Sequence, residues 1–135
     1  MTFIEQPIPS NCCGQACVAM IANVTIAESI KAFGKKGGTY SKDVISALQA
    51  LGIKCDDKLV RISKSNPKSD YCMVTVLSKS SKKYKHWVVF KDGVYYDPAL
   101  GISEDLNEAH YNPNKDGWWK HDYERHEASF LPIYT

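Results

Sequence analysis

The 135-residue sequence has little net charge, an odd number of cysteines and no long hydrophobic run. Each lack excludes something. A formal net charge of +2 provides no basic stripe for nucleic acid. The lysines of "KSSKKYK" (79–85) and Lys35–Lys36 sit beside turn residues and read as solvated loops. No apolar run approaches the ~20 residues of a membrane-spanning helix. The opening "MTFIEQPIPS" lacks the basic and apolar segments of a secretory signal. Five cysteines cannot all pair, adjacent Cys12 and Cys13 are poorly placed to bridge one another, and there is no Cys-x-x-Cys pair for zinc. The expectation is a reduced, cytoplasmic protein that needs no cofactor or metal and has no nucleic-acid or membrane partner.

What is present is an ordinary globular composition, 44% hydrophobic and 24% charged, which can bury a core. The length suits one domain over 1–135 and is short for two. The first third reads as helical. Apolar residues at 16, 17, 20 and 21 put a helix over Cys13–Ala22, with Asn11 as its cap. "TIAE" from Thr25 has the capping-box form and begins a second helix that stops at Gly34. Ser41 is expected to cap a third, whose stripe is Val44, Ile45, Leu48 and Leu51.

From residue 53 onward the pattern turns to strands: "KLVRIS" (58–63), "YCMVTVLS" (71–78), the hairpin "HWVVFKDGVYYDP" and "SFLPIY" (129–134). Helices first and an antiparallel sheet afterwards make the fold class α+β. The hairpin carries geometry. With Asp92-Gly93 as a two-residue turn, Phe90 pairs with Tyr95 and Val88 with Asp97. His86, Val88 and Asp97 then share a face, and Asp97 is the diagonal neighbour of His86, about 7 Å away or less between Cβ atoms. A carboxylate can reach an imidazole across that gap, orient it and favour its charged form.

Three cysteines crowd into "NCCGQAC", two of them at a helix start. A cysteine nucleophile must be a thiolate, and lowering its pKa from ~8.5 to ~5.5 takes about 4 kcal/mol. A helix N-terminus supplies ~2 kcal/mol at best, so a neighbouring imidazolium has to supply the rest. His86 is the histidine with a placed acidic partner. Gln6, a side-chain amide just ahead of the cysteine, can form an oxyanion hole with the nucleophile's own N–H. Gly14 is expected to let substrate approach the backbone.

The order Gln…Cys…His…Asp resembles the papain-like cysteine peptidase clan. Within it, the chain is similar to the bacteriocin-leader (double-glycine) peptidase domains, whose motif runs Gln, spacer, Asp-Cys-Gly-x-Ala, then a distal His and Asp-Pro. "NCCGQACVAMI", "HWVVF" and "YYDPALG" carry the likeness, which spans about residues 6 to 101. It implies Cys13 as nucleophile, His86 as base, Asp97 as its orienting partner and Gln6 as oxyanion donor. It also implies a papain-like fold and a peptide or protein substrate. Asn11-Cys12 replaces the family's single Asp, so Cys12 keeps the family's distance from Gln6 whereas Cys13 keeps the Cys-Gly-x-Ala register. No exporter domain accompanies the motif, so the leader substrate is not inherited with it.

Plainer readings stand beside this one. Cys17, Cys55 and Cys72 read as core, His110, His121 and His126 as surface, and Trp87 as packing on the sheet face opposite His86. Cys13, Cys17 and His86 could instead hold zinc, and "GWW" (117–119) could wall a cleft or cover the core. The same parts could run acyl or amide-group transfer, or survive as a non-catalytic binding or inhibitor module.

Overall fold

The computed structural model describes residues 1–7, 12–78, 86–106 and 125–134. Asn11, the lysines of 79–85, His110, "GWW" and His121 lie outside the described residues. Three helices precede the strands among the described residues: α1 (Cys13–Ala22), α2 (Ile26–Phe33) and α3 (Ser41–Ala50). The strands are β1 (Lys54–Cys55), β2 (Val60–Arg61), β3 (Tyr71–Ser78), β4 (His86–Lys91), β5 (Val94–Asp97), β6 (Gly101–Ser103) and β7 (Arg125–Tyr134). They form an antiparallel sheet in the order β1-β7-β3-β4-β5-β6, with β2 also on β7. The architecture is α+β. None of the described helices is by itself long and apolar enough to cross a membrane.

α1 is buried from Cys13 to Ile21, and its small residues Gly14, Ala16, Cys17 and Ala19 let it lie close to its neighbours. Its N-cap position is Cys12, which makes no side-chain capping bond. α2 starts with the expected capping box, in which Thr25 Oγ1 accepts from Glu28 N at 3.1 Å and the Glu28 carboxylate accepts from Thr25 N at 3.5 Å. α3 differs from expectation at its start. Ser41 is the first helical residue and Tyr40 holds the cap position, because the Asp43 carboxylate reaches back to accept Tyr40 N at 2.8 Å.

The sheet is apolar on both faces. The helices cover the face of Met73, Trp87, Val89 and Leu131, where Cys17, Val18, Val44 and Leu48 complete the larger core. The other face carries Cys72, Val74, Val88, Tyr95 and Phe130. Trp87 lies on the helix side, opposite to Val88 and His86, as strand alternation requires. Fully burying such side chains contributes about 1.5–3 kcal/mol each.

Two details of the sheet position the candidate site. Asp92 (φ 50°) and Gly93 (φ 84°) both take positive φ, so the hairpin turn twists with the strands and pairs Lys91 with Val94, Phe90 with Tyr95 and Val89 with Tyr96. The second is a bulge in β7. Val74 faces Phe130 and Thr75 faces Ser129, but Val76 faces Glu127, which leaves Ala128 as the extra residue. The Thr75 hydroxyl fills the irregularity, accepting Ser129 N at 3.0 Å and bonding Ser129 Oγ at 2.6 Å.

Gly14 has a role other than the one expected of it. A Cβ there would lie 2.5 Å from Thr39 Oγ1, so Thr39 is what approaches this glycine closely. Gln15, next along α1, donates from Nε2 to Lys35 O at 3.2 Å and Gly37 O at 2.9 Å. The segment after α2 is thus fastened to the start of α1. Gly14→Ala should destabilise the fold by about 1–3 kcal/mol through overpacking, and adding Thr39→Ala should recover most of that. Chemical denaturation of both variants checks the pair. Equal losses in the single and double variants would show that Thr39 is not the obstacle.

Candidate active site

The start of α1, the start of β4, the end of β5 and the start of β7 meet at one end of the sheet. Cys13 is the first residue of α1 and His86 the first of β4. The β4–β5 register places Asp97 on the His86 face, and the distance follows: His86 Nε2 lies 2.7 Å from Asp97 Oδ1. The second ring nitrogen is left for Cys13, which hydrogen-bonds His86. Cys13, His86 and Asp97 are therefore connected in series, thiol to imidazole to carboxylate.

The reason α1 meets β4 at this point is backbone chemistry. β5 ends at Asp97, so among the described strands none pairs with Trp87 on that edge of β4. Cys13 accepts a hydrogen bond from the Trp87 backbone, and Cys17 Sγ donates to Trp87 O at 3.4 Å. Two cysteines one helical turn apart thus take up the peptide groups that a longer β5 would have used.

Charge is distributed accordingly. Burial pushes the Cys13 thiol up, but the His86 charge and hydrogen bond, with the Trp87 backbone, outweigh it and bring it below its ordinary value. Burial pushes His86 down, yet the Asp97 carboxylate and Cys13 raise it to about 10. Asp97 is disfavoured as a charge by burial too, but His86 and Arg125 hold it well below the usual carboxylate range. Both shifts run in the direction of a thiolate–imidazolium pair. Elsewhere burial has the opposite result: Cys17 is raised well above its ordinary value and Cys72 to about 12. Cys55 is raised, by burial first and then by Asp56.

Asp97 is only 1% exposed and, among the described residues, has further ties beyond His86: Oδ1 accepts Ala99 N at 2.9 Å and Leu100 N at 3.3 Å, Oδ2 accepts Arg125 Nη1 at 2.6 Å, and its carbonyl accepts Leu100 N at 3.2 Å. Arg125 also donates from Nη2 to Leu106 O. Sequence reasoning missed Arg125. It lies before the expected last strand, and its face depends on the β7 bulge, which no pattern in the sequence announces.

Gln6 is joined to the site through the backbone. Its N–H donates to Pro98 O at 2.8 Å, one residue past Asp97, and the residue is 4% exposed. Cys12, the alternative nucleophile, is also buried, but His86 is paired with Cys13. His126 is exposed. Among the described residues, no group of three or more His, Cys, Asp or Glu is arranged to hold a metal ion. No protein-family model and no curated protein sequence matches the chain.

Proposed function

We propose that the chain is a papain-like cysteine peptidase or amide hydrolase, acting on a peptide or protein substrate in a reducing, cytoplasmic setting. The observation that carries this reading is the buried series Cys13–His86–Asp97, with a 2.7 Å His86–Asp97 bond and a thiol shifted below its ordinary value. The Cys13 thiolate attacks the carbonyl carbon, and the oxyanion is met by the Cys13 N–H and the Gln6 amide. The His86 imidazolium gives its proton to the departing amine, which leaves a thioester on Cys13. His86 then takes a proton from water, whose hydroxide oxygen attacks the thioester; the acid departs and Cys13 is regenerated. Asp97 keeps the ring aligned throughout.

The test is selective alkylation. Iodoacetamide should label Cys13 ahead of every other cysteine at pH 6, where an ordinary thiol is almost wholly protonated. Peptide mapping by mass spectrometry reads the site. Uniform labelling that rises only above about pH 8 would remove the activated nucleophile, and with it this function. Labelling at Cys12 instead would move the nucleophile by one residue.

A further inference from the structure

A carboxylate that serves only to orient His86 does not require a buried guanidinium behind it, yet the Arg125 side chain is 4% exposed and sits 2.6 Å from Asp97 Oδ2. Resting on the cysteine hydrolase reading, we propose that Arg125 is a positioning residue for the His86–Asp97 pair. It grips Oδ2 so that Oδ1 stays on His86, and it supplies the second positive charge of a site that otherwise holds two negative groups and one positive.

The β7 bulge sets where Arg125 faces. Residues paired across antiparallel strands share a face, so Val74 with Phe130 and Val76 with Glu127 put Phe130, Glu127 and, through Ser78, Arg125 on one side. Unbroken alternation from Phe130 would have placed Ala128 and His126 there and turned Arg125 to the opposite face. The bulge therefore delivers Arg125 to the Asp97 side of the sheet. Its two terminal nitrogens then bridge Asp97 Oδ2 and Leu106 O, a planar fork held at both tips. With Oδ2 occupied and Oδ1 also fixed by Ala99 N, the carboxylate cannot rotate away from His86.

Charge supplies the second half. A thiolate at Cys13 and a carboxylate at Asp97 repel each other, and one imidazolium leaves the buried group at a net −1. Arg125 brings it to zero. Among the described residues, His86, Asp97 and Cys17 interact electrostatically with Cys13, and His86 and Arg125 with Asp97. The outer side of Arg125 borders a cavity of about 500 Å³ with Glu104, Asp105, His126 and Glu127 on its walls. Glu127 is already held by Lys68 at 3.1 Å and Tyr95 Oη at 2.5 Å.

Removing a positive charge makes every nearby group easier to protonate, so Arg125→Met should move both the Cys13 and the His86 titrations to higher pH. The experiment is the pH profile of Cys13 alkylation and of acylation by an activated ester, for wild type, Arg125→Met and Arg125→Lys. Arg125→Met should raise the acid limb of alkylation by about one pH unit, a tenfold drop in rate on that limb. Arg125→Lys keeps the charge and loses the fork, so its limbs should stay at the wild-type pH while its plateau acylation falls several-fold. Folded Arg125→Met with wild-type limbs overturns the charge role. Arg125→Lys with the wild-type plateau overturns the grip, and this variant decides if Arg125→Met does not fold. Absence of an acid-side limb in wild type would instead sink the cysteine hydrolase reading itself.

Discussion

Asp97→Asn is expected to cost about 3–5 kcal/mol of folding stability at neutral pH, because breaking a buried ion pair from one side leaves the other charge uncompensated. Arg125 would keep its cation, 4% exposed, with the opposing carboxylate gone. A loss of that size is a large share of the ~5–15 kcal/mol that holds a typical domain together. Asparagine retains an oxygen for Ala99 N and Leu100 N, so the local turn is kept, while its NH2 replaces Oδ2 and sets a donor against Arg125 Nη1; the effect combines the lost charge with the lost acceptor. Denaturant unfolding of wild type and variant measures it. A difference under about 1 kcal/mol would mean that the pair contributes no net stability.

The same variant should change the pH dependence of stability. Asp97 has its folded pKa depressed below the unfolded ~3.9, so its stabilisation is complete above about pH 4 and is lost as pH falls through the folded value. The gap between wild type and Asp97→Asn should therefore be widest near neutrality and narrow on acidification below pH ~4. A gap independent of pH would identify the loss as one of shape. In acylation the variant should also be slowed, since His86 loses the carboxylate that both aligns it and raises it.

Gln6→Ala is expected to slow acylation of Cys13 by a peptide or activated-ester probe by ~10²–10³, or roughly 2.7–4 kcal/mol of transition-state stabilisation. An oxyanion donor acts on the tetrahedral intermediate alone. Alkylation by iodoacetamide passes through no oxyanion, so its rate and pH profile should be unchanged in the same variant. This comparison is needed because Gln6 is buried, so a fall in melting temperature is expected with the substitution even though Gln6 N to Pro98 O is a backbone bond that alanine retains. If acylation and alkylation fall together, Gln6 supports the architecture and the oxyanion role is lost.

Local rules made much of the site readable. The Asp92-Gly93 turn accepts positive φ at both residues, which leaves one register for the hairpin, and that register alone put Asp97 beside His86. Thr25 and Glu28 capped α2 because a capping box needs only four consecutive residues. β3 came out at Tyr71–Ser78 as its β-rich run implied. These are short-range constraints, and the sequence contains all their parts.

Other features required distant segments to meet. Gly14 looked like space for substrate until the loop after α2 brought Thr39 against it. Gln6 was expected to serve the site, but what ties its backbone there is a bond from its N–H to Pro98 O, more than ninety positions along the chain. What the sequence determined by itself was the α+β order, the hairpin register and hence the His86–Asp97 pair, because propensity, capping and turn chemistry act over a few residues. What only the tertiary structure decided was the pairing of Cys13 with His86, at the edge of β4 beyond the end of β5, and the arrival of Arg125 behind Asp97. A single extra residue in β7 reverses which side chains face the site, and that choice belongs to the packing of β7 on β3, not to any stretch of sequence read alone.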